Sequence, residues 1–288
     1  TSHRDSVTGS VIDNGPHLLM GWYTETLAFL DKIGTRDRLL EPRNLSIDFQ
    51  SVGKKWKTLK LPPLPSPWHL LVGLLNFDGL SLRQRLQTIG LGKALRALSD
   101  EDLPDQFSMP EWLDRPEFCS AALLARVFRE ILRTGRQGAT FLFPKVGLSD
   151  LYTEAAAQFI QNHGGHIFLK TPVMKIDFHG REFKEVELEG GRKLEADILL
   201  LTVPFAVLRR LIPEAVLYQD SFFHALRNLH PSPVLSVHFW FDREIVDRDF
   251  IGLGGTRAHW LINKRFQEGP RYLSLVQVGA HEELAIPG

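Results

Sequence analysis

The sequence predicts an α/β fold. Three observations lead to this prediction: helical and strand patterns alternate along the chain, a glycine-containing hairpin follows one helix, and a purely apolar run follows the hairpin. The 288 residues are enough for one large domain or two ordinary ones. With 43% apolar and 24% charged residues, the composition is that of a globular protein rather than a disordered or fibrous one.

The charge balance and the cysteine content exclude several functional classes. The 34 basic residues balance the 34 acidic ones, so the chain lacks the excess positive charge that nucleic-acid binding needs. The single cysteine, Cys119, excludes an internal disulfide framework and a cysteine-based zinc site. We therefore predict no nucleic-acid partner and no metal.

The sequence has no segment of the kind that crosses a membrane, because no apolar run approaches the ~20 residues that a spanning helix needs. This favours a cytoplasmic protein, at most in peripheral contact with the inner face of the membrane. The chain starts at Thr1 without a charged-then-apolar leader and stops at Gly288, just after a strand-like run. We interpret it as the interior of a longer protein.

The first part of the chain predicts a strand, a turn and a helix. A short strand over Ser10 to Asp13 leads into a turn at Asn14-Gly15-Pro16. The helix that follows, Thr24 to Ile33, has its large apolar residues on one face. Gly34 stands where a C-terminal cap belongs.

The central part is predicted to be mostly helical. Residues 40–67 are irregular or β-rich and end in a proline cluster that cannot be the interior of a helix. From Trp68 to about Leu98, apolar residues recur at helical spacing, with a break near Asn76 to Gly79. A second helix is predicted over Ala121 to Leu132.

The next part has the pattern of an alternating α and β unit. Ser149 has the side chain of an N-cap, and the helix that it starts ends at Gly164-Gly165. A strand is predicted over His166 to Leu169, and another over Val173 to Phe178. Apolar and acidic residues then alternate in a hairpin whose turn is Gly190-Gly191.

A continuous apolar run, Ile198 to Leu201, follows the hairpin and is typical of a strand covered on both faces. Pro204 ends this run, and Phe205 to Ile212 has a helical pattern. The remaining strands are predicted over Val234 to Phe241, Trp260 to Asn263 and Tyr272 to Val278.

Several stretches of sequence resemble a known family. They are Ile12 to Tyr23 (IDNGPHLLMGWY), Phe143 to Leu151 (FPKVGLSDL), and Ala196 to Pro204 with Ser236 to Arg243 after it. In them the chain resembles the FAD-dependent amine oxidase and phytoene desaturase superfamily, and within it the hydroxysqualene dehydroxylases. The first stretch is fairly specific, and the others are shared more widely in the superfamily.

The resemblance implies an α/β fold with an incomplete FAD-binding Rossmann-like domain and a substrate domain of mixed β-sheet and helices. Residues 1–34 and 145–204 would form the first domain, and residues 35–144 and 205–288 the second. Such enzymes begin with a strand, a Gly-x-Gly-x-x-Gly turn and an acidic residue for the ribose, which this sequence does not contain.

The resemblance also assigns residues to the flavin ring. It places Gly15, His17 and Leu18 near the isoalloxazine. The chemistry is reasonable, because a glycine permits close backbone approach and a histidine can donate a proton near neutral pH. From the residues alone, an ordinary strand-to-helix turn with an exposed histidine remains open.

A second set of residues is assigned to the nucleotide part of FAD. The resemblance implies that Val173 bonds the adenine through its backbone and that Thr202, Val203 and Pro204 lie along the nucleotide. From the residues alone, these positions could equally belong to plain core strands.

The implied cofactor is FAD, and the implied substrate is a long-chain isoprenoid similar to hydroxysqualene. The reaction would replace its hydroxyl with hydride from reduced flavin and give squalene, with His17 as the general acid. Trp68, Trp112, Trp240 and Trp260 could line an apolar tunnel for this substrate or could belong to the core. A carotenoid desaturase, a flavin amine oxidase and a non-catalytic isoprenoid-binding remnant are the alternatives.

Overall fold

The computed structural model describes residues 2–15, 18–42, 45–86, 121–179, 182–219 and 221–284. Helices accompany mixed β-sheets in these ranges, which confirms the predicted α/β class. The chain divides into two compact units. The first consists of Thr1–Phe159 and Ser232–Gly288, and the second of the residues between them.

Helices and strands occur in both units. The strands are β1 (Ser2–Arg4), β2 (Val11–Asp13), β3 (Leu19–Met20), β4 (Leu39–Leu40), β5 (Ser46–Ser51), β6 (Lys57–Lys60), β7 (Phe141–Pro144), β8 (Val173–His179), β9 (Glu182–Leu188), β10 (Lys193–Glu195), β11 (Val234–Trp240), β12 (Phe250–Gly254), β13 (Trp260–Asn263) and β14 (Tyr272–Val278). The helices are α1 (Thr24–Lys32), α2 (Trp68–Asn76), α3 (Ala121–Gly138), α4 (Glu154–Asn162), α5 (Phe205–Leu211), α6 (Glu214–Gln219), α7 (Ser221–Ala225) and α8 (His281–Leu284).

The largest sheet of the first unit has six strands in the order β11-β14-β13-β12-β5-β6. Its neighbours are antiparallel except for the parallel pair of β12 and β5. Side chains at alternate positions of a strand share a face. One face buries Phe250, Ile262 and Val276 against Phe143 of the smaller sheet β3-β7-β4. Part of the core of the first unit therefore lies between these two sheets.

Helix α1 illustrates how local sequence sets local structure. Leu30 is fully buried in a cluster with Leu142 and Leu151. Gly34 has a φ of 74°, a left-handed conformation that glycine adopts without strain. The N–H of Thr35 donates to the carbonyl of Leu30, which completes a Schellman ending. The predicted helix and its cap are confirmed.

The second unit is built on the antiparallel sheet β10-β9-β8. Ile176 of β8 is fully buried against Leu211 and Ile212 at the end of α5. Gly190 and Gly191 have φ values of 82° and 79°, as a tight hairpin turn requires. The predicted hairpin is confirmed.

Two strands predicted in the second unit are wrong. Residues 166–169 and 198–201 belong to no helix or strand. Ile198 and Leu200 are 79% and 80% exposed, whereas the alternate leucines pack against the cluster around Ile176. The apolar run is covered on one face only, and no strand of the described chain pairs with it.

The helical stretch predicted from Trp68 onward is confirmed within the described residues, which end at residue 86 in this part of the chain. Helix α2 ends at Asn76, where the break was expected. The part of that stretch beyond residue 86 lies outside the described residues, as do Trp112 and Cys119. None of the described helices combines the length and the apolar character that crossing a membrane requires.

Candidate functional site

A buried carboxylate stands at the end of strand β2, immediately before the turn at Gly15. Asp13, the last residue of β2, is 4% exposed. Its Oδ1 accepts a hydrogen bond from the hydroxyl of Ser2 at 2.6 Å and another from the backbone N–H of Leu148 at 2.8 Å. Two distant segments of the chain therefore meet at this carboxylate.

These contacts also cap the helical segment that begins at Ser149. The prediction that the Ser149 side chain is the cap is wrong, because Ser149 is the first residue of the segment and no side chain of the preceding residue caps it. The Ser149 Oγ instead accepts the backbone N–H of Ser2 at 2.9 Å. The N–H of Ser149 in turn donates to the Ser2 hydroxyl at 2.8 Å. Asp13 receives the N–H of the preceding residue, and a carboxylate at a helix start is favoured by the helix dipole. Residues of strands β1 and β2 thus cap the helical segment. The same contacts hold the end of β2, where the turn at Gly15 begins.

A buried lysine faces the other oxygen of Asp13. Lys264 is 6% exposed, and its Nζ lies 3.6 Å from Asp13 Oδ2. Gln267 Nε2 is 3.4 Å from the same oxygen and donates to the carbonyl of Val146 at 2.6 Å. Burial lowers the pKa of Lys264 below its ordinary value, and the charge of Asp13 opposes this shift. The residues form a buried ion pair, and such a pair is costly to break on one side.

A tyrosine and a histidine form a second polar pair on the neighbouring strands. The Tyr272 hydroxyl lies 2.8 Å from His238 Nδ1, and the Tyr272 ring stacks on Trp240 with 4.8 Å between centroids. Burial raises the pKa of Tyr272, and the charge of Asp13 adds to this effect. Burial and then the charge of Lys264 lower the pKa of His238. At neutral pH the phenol keeps its proton and the imidazole is uncharged.

The strand register places these polar groups on one face of the six-stranded sheet. His238 is opposite Ser274, and Trp240 is opposite Tyr272. Ser274 is fully buried, and its Oγ has no hydrogen-bond partner in the described part of the chain. In the other neighbouring strand, β13, Ile262 is opposite Ser274 and shares its face. Lys264 is two residues after Ile262 and therefore belongs to the same face.

The same face carries an aromatic wall, formed by Phe49, Phe250 and Trp260. The rings of Phe250 and Trp260 stack with 4.8 Å between centroids. A Cβ at Gly252 would lie 2.6 Å from the Phe49 ring and 3.2 Å from the Trp260 ring, so the wall needs a glycine there. Phe141 of the smaller sheet packs against Phe250, with 5.0 Å between the ring centroids. The face therefore joins a polar cluster to a continuous apolar surface.

The tryptophans considered for a tunnel have different surroundings. Trp260 belongs to the aromatic wall, and Trp240 stacks on Tyr272. Trp68 at the start of α2 is 55% exposed. Among these, Trp260 and Trp240 share the face that carries the polar cluster.

Gly15 and Leu18 lie in the first unit, in the segment that follows Asp13. Gly15 has a φ of 85°, which favours glycine over any other residue. Leu18 and Lys264 are among the residues that line a narrow cleft beside Phe143. Residues 16 and 17 lie outside the described residues, so the role of His17 stays a prediction.

The residues predicted to contact the nucleotide lie in the second unit. Val173 is the first residue of β8, is opposite Leu188 in β9 and is 37% exposed. Thr202, Val203 and Pro204 are exposed in the segment before α5. The structure thus divides the predicted flavin-ring and nucleotide residues between the two units, and their contacts with a cofactor stay predictions.

The comparison with protein families shows to which family this chain belongs. The model of a family described as flavin containing amine oxidoreductase matches residues 1–285. This chain belongs to that family. The prediction of FAD as the cofactor is confirmed at the level of the flavin containing amine oxidoreductases.

Two curated relatives of this chain are named for the isoprenoid on which they act. The 15-cis-phytoene desaturase of Synechococcus elongatus is 23% identical over 278 residues, which cover 84% of this chain and 58% of the relative. The hydroxysqualene dehydroxylase of Zymomonas mobilis is 23% identical over 274 residues, which cover 90% of this chain and 64% of the relative. The chain therefore spans about three fifths of the length of these relatives.

Solved structures share the fold over nearly the whole chain. An oxidoreductase from Methanosarcina mazei has a TM-score of 0.69 at 14% identity, covering 98% of this chain and 74% of the other. A redesigned putrescine oxidase has a TM-score of 0.66 at 14% identity, covering 100% of this chain and 69% of the other. These similarities support the α/β fold of the family.

The sequence did not identify Lys264, His238 or Tyr272 as site residues. A weak signal exists, because His238 alternates with apolar residues within a predicted strand. Lys264 directly follows a strand, a position where a lysine usually reaches solvent. The pairing of β11, β13 and β14 is what buries these side chains together.

Proposed function

We propose that this chain is part of an FAD-dependent oxidoreductase that replaces the hydroxyl of a hydroxysqualene-like isoprenoid with hydride to give squalene. The observation that carries the proposal is the sheet face on which the aromatic wall adjoins Lys264, Tyr272 and His238. Membership of the flavin containing amine oxidoreductases and the relative named hydroxysqualene dehydroxylase support it.

We assign residues of each unit to a different part of FAD. Gly15 carries no side chain in a turn with a positive φ, which suits the approach of a flat ring. Val173, which is 37% exposed, would bond the adenine through its backbone, and the exposed residues Thr202, Val203 and Pro204 would lie along the nucleotide. In the proposal, Gly15, His17 and Leu18 contact the isoalloxazine, whereas Val173 and Thr202 to Pro204 contact the nucleotide. Reduced FAD, when bound, supplies the hydride.

The reaction breaks one C–O bond, forms one C–H bond and releases water, so it consumes one hydride and one proton. We assign the proton to His17, which acts as general acid on the leaving hydroxyl. Asp13, held by Lys264 and by the N–H of Leu148, anchors the end of strand β2 in the same stretch of sequence. His17→Ala should lower turnover and leave the flavin content intact, and unchanged turnover would remove this assignment.

In the proposal, the partly exposed side chains of Phe49 and Trp260 contact the substrate, whereas Phe250 is buried in the core. A hydroxysqualene-like molecule has one type of polar group, so burial of apolar surface at roughly 25 cal/mol per Å² is its main binding term. Phe250 and Ile262 on the same face are buried, so this part of the face is shielded from water. Exclusion of water protects a hydride from side reactions.

A second candidate function is the desaturation of a linear polyene, which the relative named 15-cis-phytoene desaturase supports. Desaturation removes hydrogen from the substrate and passes it to an oxidant, and it needs no proton donor for a leaving hydroxyl. Lys264 and the Tyr272 hydroxyl favour the first candidate, because they place hydrogen-bond donors on this face, which a leaving hydroxyl needs.

The test uses the natural protein that contains this sequence. It is purified, its flavin absorbance is recorded, and it is incubated without air with hydroxysqualene and a chemical reductant. We expect squalene, measured by gas chromatography and mass spectrometry. Conversion of phytoene with an added quinone, without any squalene in the first assay, would instead establish the desaturase. A colourless protein that binds squalene without converting any substrate would establish a non-catalytic isoprenoid-binding protein.

A further inference from the structure

The hairpin of β5 and β6 ends in a tip whose side chains all reach solvent. This tip, Val52–Trp56, consists of five consecutive exposed residues, with Val52 73% and Trp56 47% exposed. A Cβ added at Gly53 would meet nothing within 4 Å. The tip thus exposes two large apolar side chains to solvent.

Hydrogen bonds at the base hold the Val52–Trp56 tip in one conformation. The N–H of Lys54 donates to the carbonyl of Ser51 at 3.0 Å. The side chain of Gln50 donates to the carbonyls of Ser51 and Lys54 at 3.1 and 3.0 Å. The guanidinium of Arg248 lies 5.2 Å from the centre of the Trp56 ring, within the range of a cation–π contact. A prearranged surface loses less conformational entropy when it binds.

The tip and the strand after it are positively charged, although the whole chain has a formal net charge of zero. Residues 52–60 include no acidic residue. Their lysines are Lys54, Lys55, Lys57 and Lys60. Asp48 and Asp247 both contact Arg248, at 2.9 and 3.9 Å, and therefore offset the charge of that arginine. Within the described residues, Lys54 and Lys55 have no ion-pair partner.

We propose that the Val52–Trp56 tip docks on a lipid bilayer that contains anionic lipids. Isolated exposed apolar residues are ordinary on a protein surface. Here a tryptophan and a valine flank two unpaired lysines, and a bilayer surface matches this combination. Tryptophan is favoured at the level of the head groups, and the lysines meet the lipid phosphates.

The small size of the tip sets the strength of this docking. Two apolar side chains bury little area, so attachment is reversible and depends on the lysines. Each lysine near an anionic surface raises the partition coefficient by about fivefold, and salt screens this contribution. The docking would bring an enzyme to a substrate that dissolves in the bilayer, but the inference does not depend on the proposed substrate.

The test measures co-sedimentation of the natural protein that contains this sequence with vesicles. One set contains phosphatidylcholine alone, and the other adds roughly one third of phosphatidylglycerol as the anionic lipid. We expect binding to the anionic vesicles at low salt, little binding to the neutral ones, and release when salt is raised to about 0.5 M. A wild-type chain that stays in solution with both sets would overturn the proposal.

Variants locate the docking surface. Lys54→Gln with Lys55→Gln should lower the partition coefficient by roughly 25-fold, and Val52→Asp should also weaken binding. The matched control is Val7→Asp, because Val7 is 90% exposed on a turn without lysines. Circular dichroism checks that each variant is folded. Equal binding by the wild type and the double lysine variant, or equal losses in Val7→Asp and Val52→Asp, would refute the assignment to this tip.

Discussion

Strand β14 and the segment Ile198–Leu201 are both strongly apolar, but their surroundings differ. β14 hydrogen-bonds to β11 on one side and to β13 on the other, and it buries Leu273 and Val276. Ile198–Leu201 pairs with no strand of the described chain and leaves two of its side chains about four fifths exposed. Apolar residues alone therefore do not make a strand, because the backbone N–H and C=O groups also need partners.

Charged side chains show the same contrast between the two units. Lys264 beside β14 is buried against Asp13, where neither group can turn to water. Lys175 in β8 pairs with Asp177, but its side chain is 57% exposed. An ion pair matters for stability where burial removes the alternative of solvation.

The largest effect is expected from Lys264→Met. The substitution leaves the carboxylate of Asp13 buried without its cation, so it should lower the free energy of unfolding by about 3–5 kcal/mol. Urea unfolding followed by tryptophan fluorescence measures the change. Lys175→Met is the control and should have little effect, because its pair is exposed. Similar losses in both variants would contradict the contrast between buried and exposed pairs.

A matched pair of leucine substitutions tests the apolar side of the comparison. Leu273 is 2% exposed, so Leu273→Ala should cost about 2–5 kcal/mol of stability. Leu200 is 80% exposed, so Leu200→Ala should cost less than about 0.5 kcal/mol. Hydrogen exchange resolved by peptide assigns each loss to its own unit. A large loss in Leu200→Ala would show that another surface covers this residue.

The smallest effect concerns the pH dependence of stability. Burial and the charge of Lys264 lower the pKa of His238 in the folded state, so the unfolded chain binds the proton first as the pH falls. The resulting loss in the free energy of unfolding is absent above the pKa of the unfolded state, near 6.5. It grows as the pH falls, until the pH passes the lower pKa of His238 in the folded state. Acidification should therefore destabilise the protein.

Replacing His238 isolates its share of this acid sensitivity. In His238→Gln the free energy of unfolding should depend less on pH below about 6.5 than it does in the wild type. Some dependence should remain, because burial also lowers the pKa of His69 in α2. An unchanged pH profile in His238→Gln would contradict the proposed contribution of His238.

The sequence by itself determined the local elements of this protein. Helix α1 and its Gly34 cap, the hairpin at Gly190-Gly191 and strand β14 all follow from patterns within a few residues. A helix closes its hydrogen bonds four residues apart, and a tight turn depends on one or two dihedral angles. The stretch around Gly15 also indicated the family, because its residue types are contiguous.

Only the tertiary structure decided which residues share the site and which apolar run becomes a strand. Gln267 and Asp13 meet across 254 positions, and no local pattern indicates such a contact. Whether Ile198–Leu201 forms a strand depends on whether another strand lies beside it. Strand pairing and burial of charge are free energies of contact between distant segments, so they are settled when the sheets assemble and not by the residues of one segment.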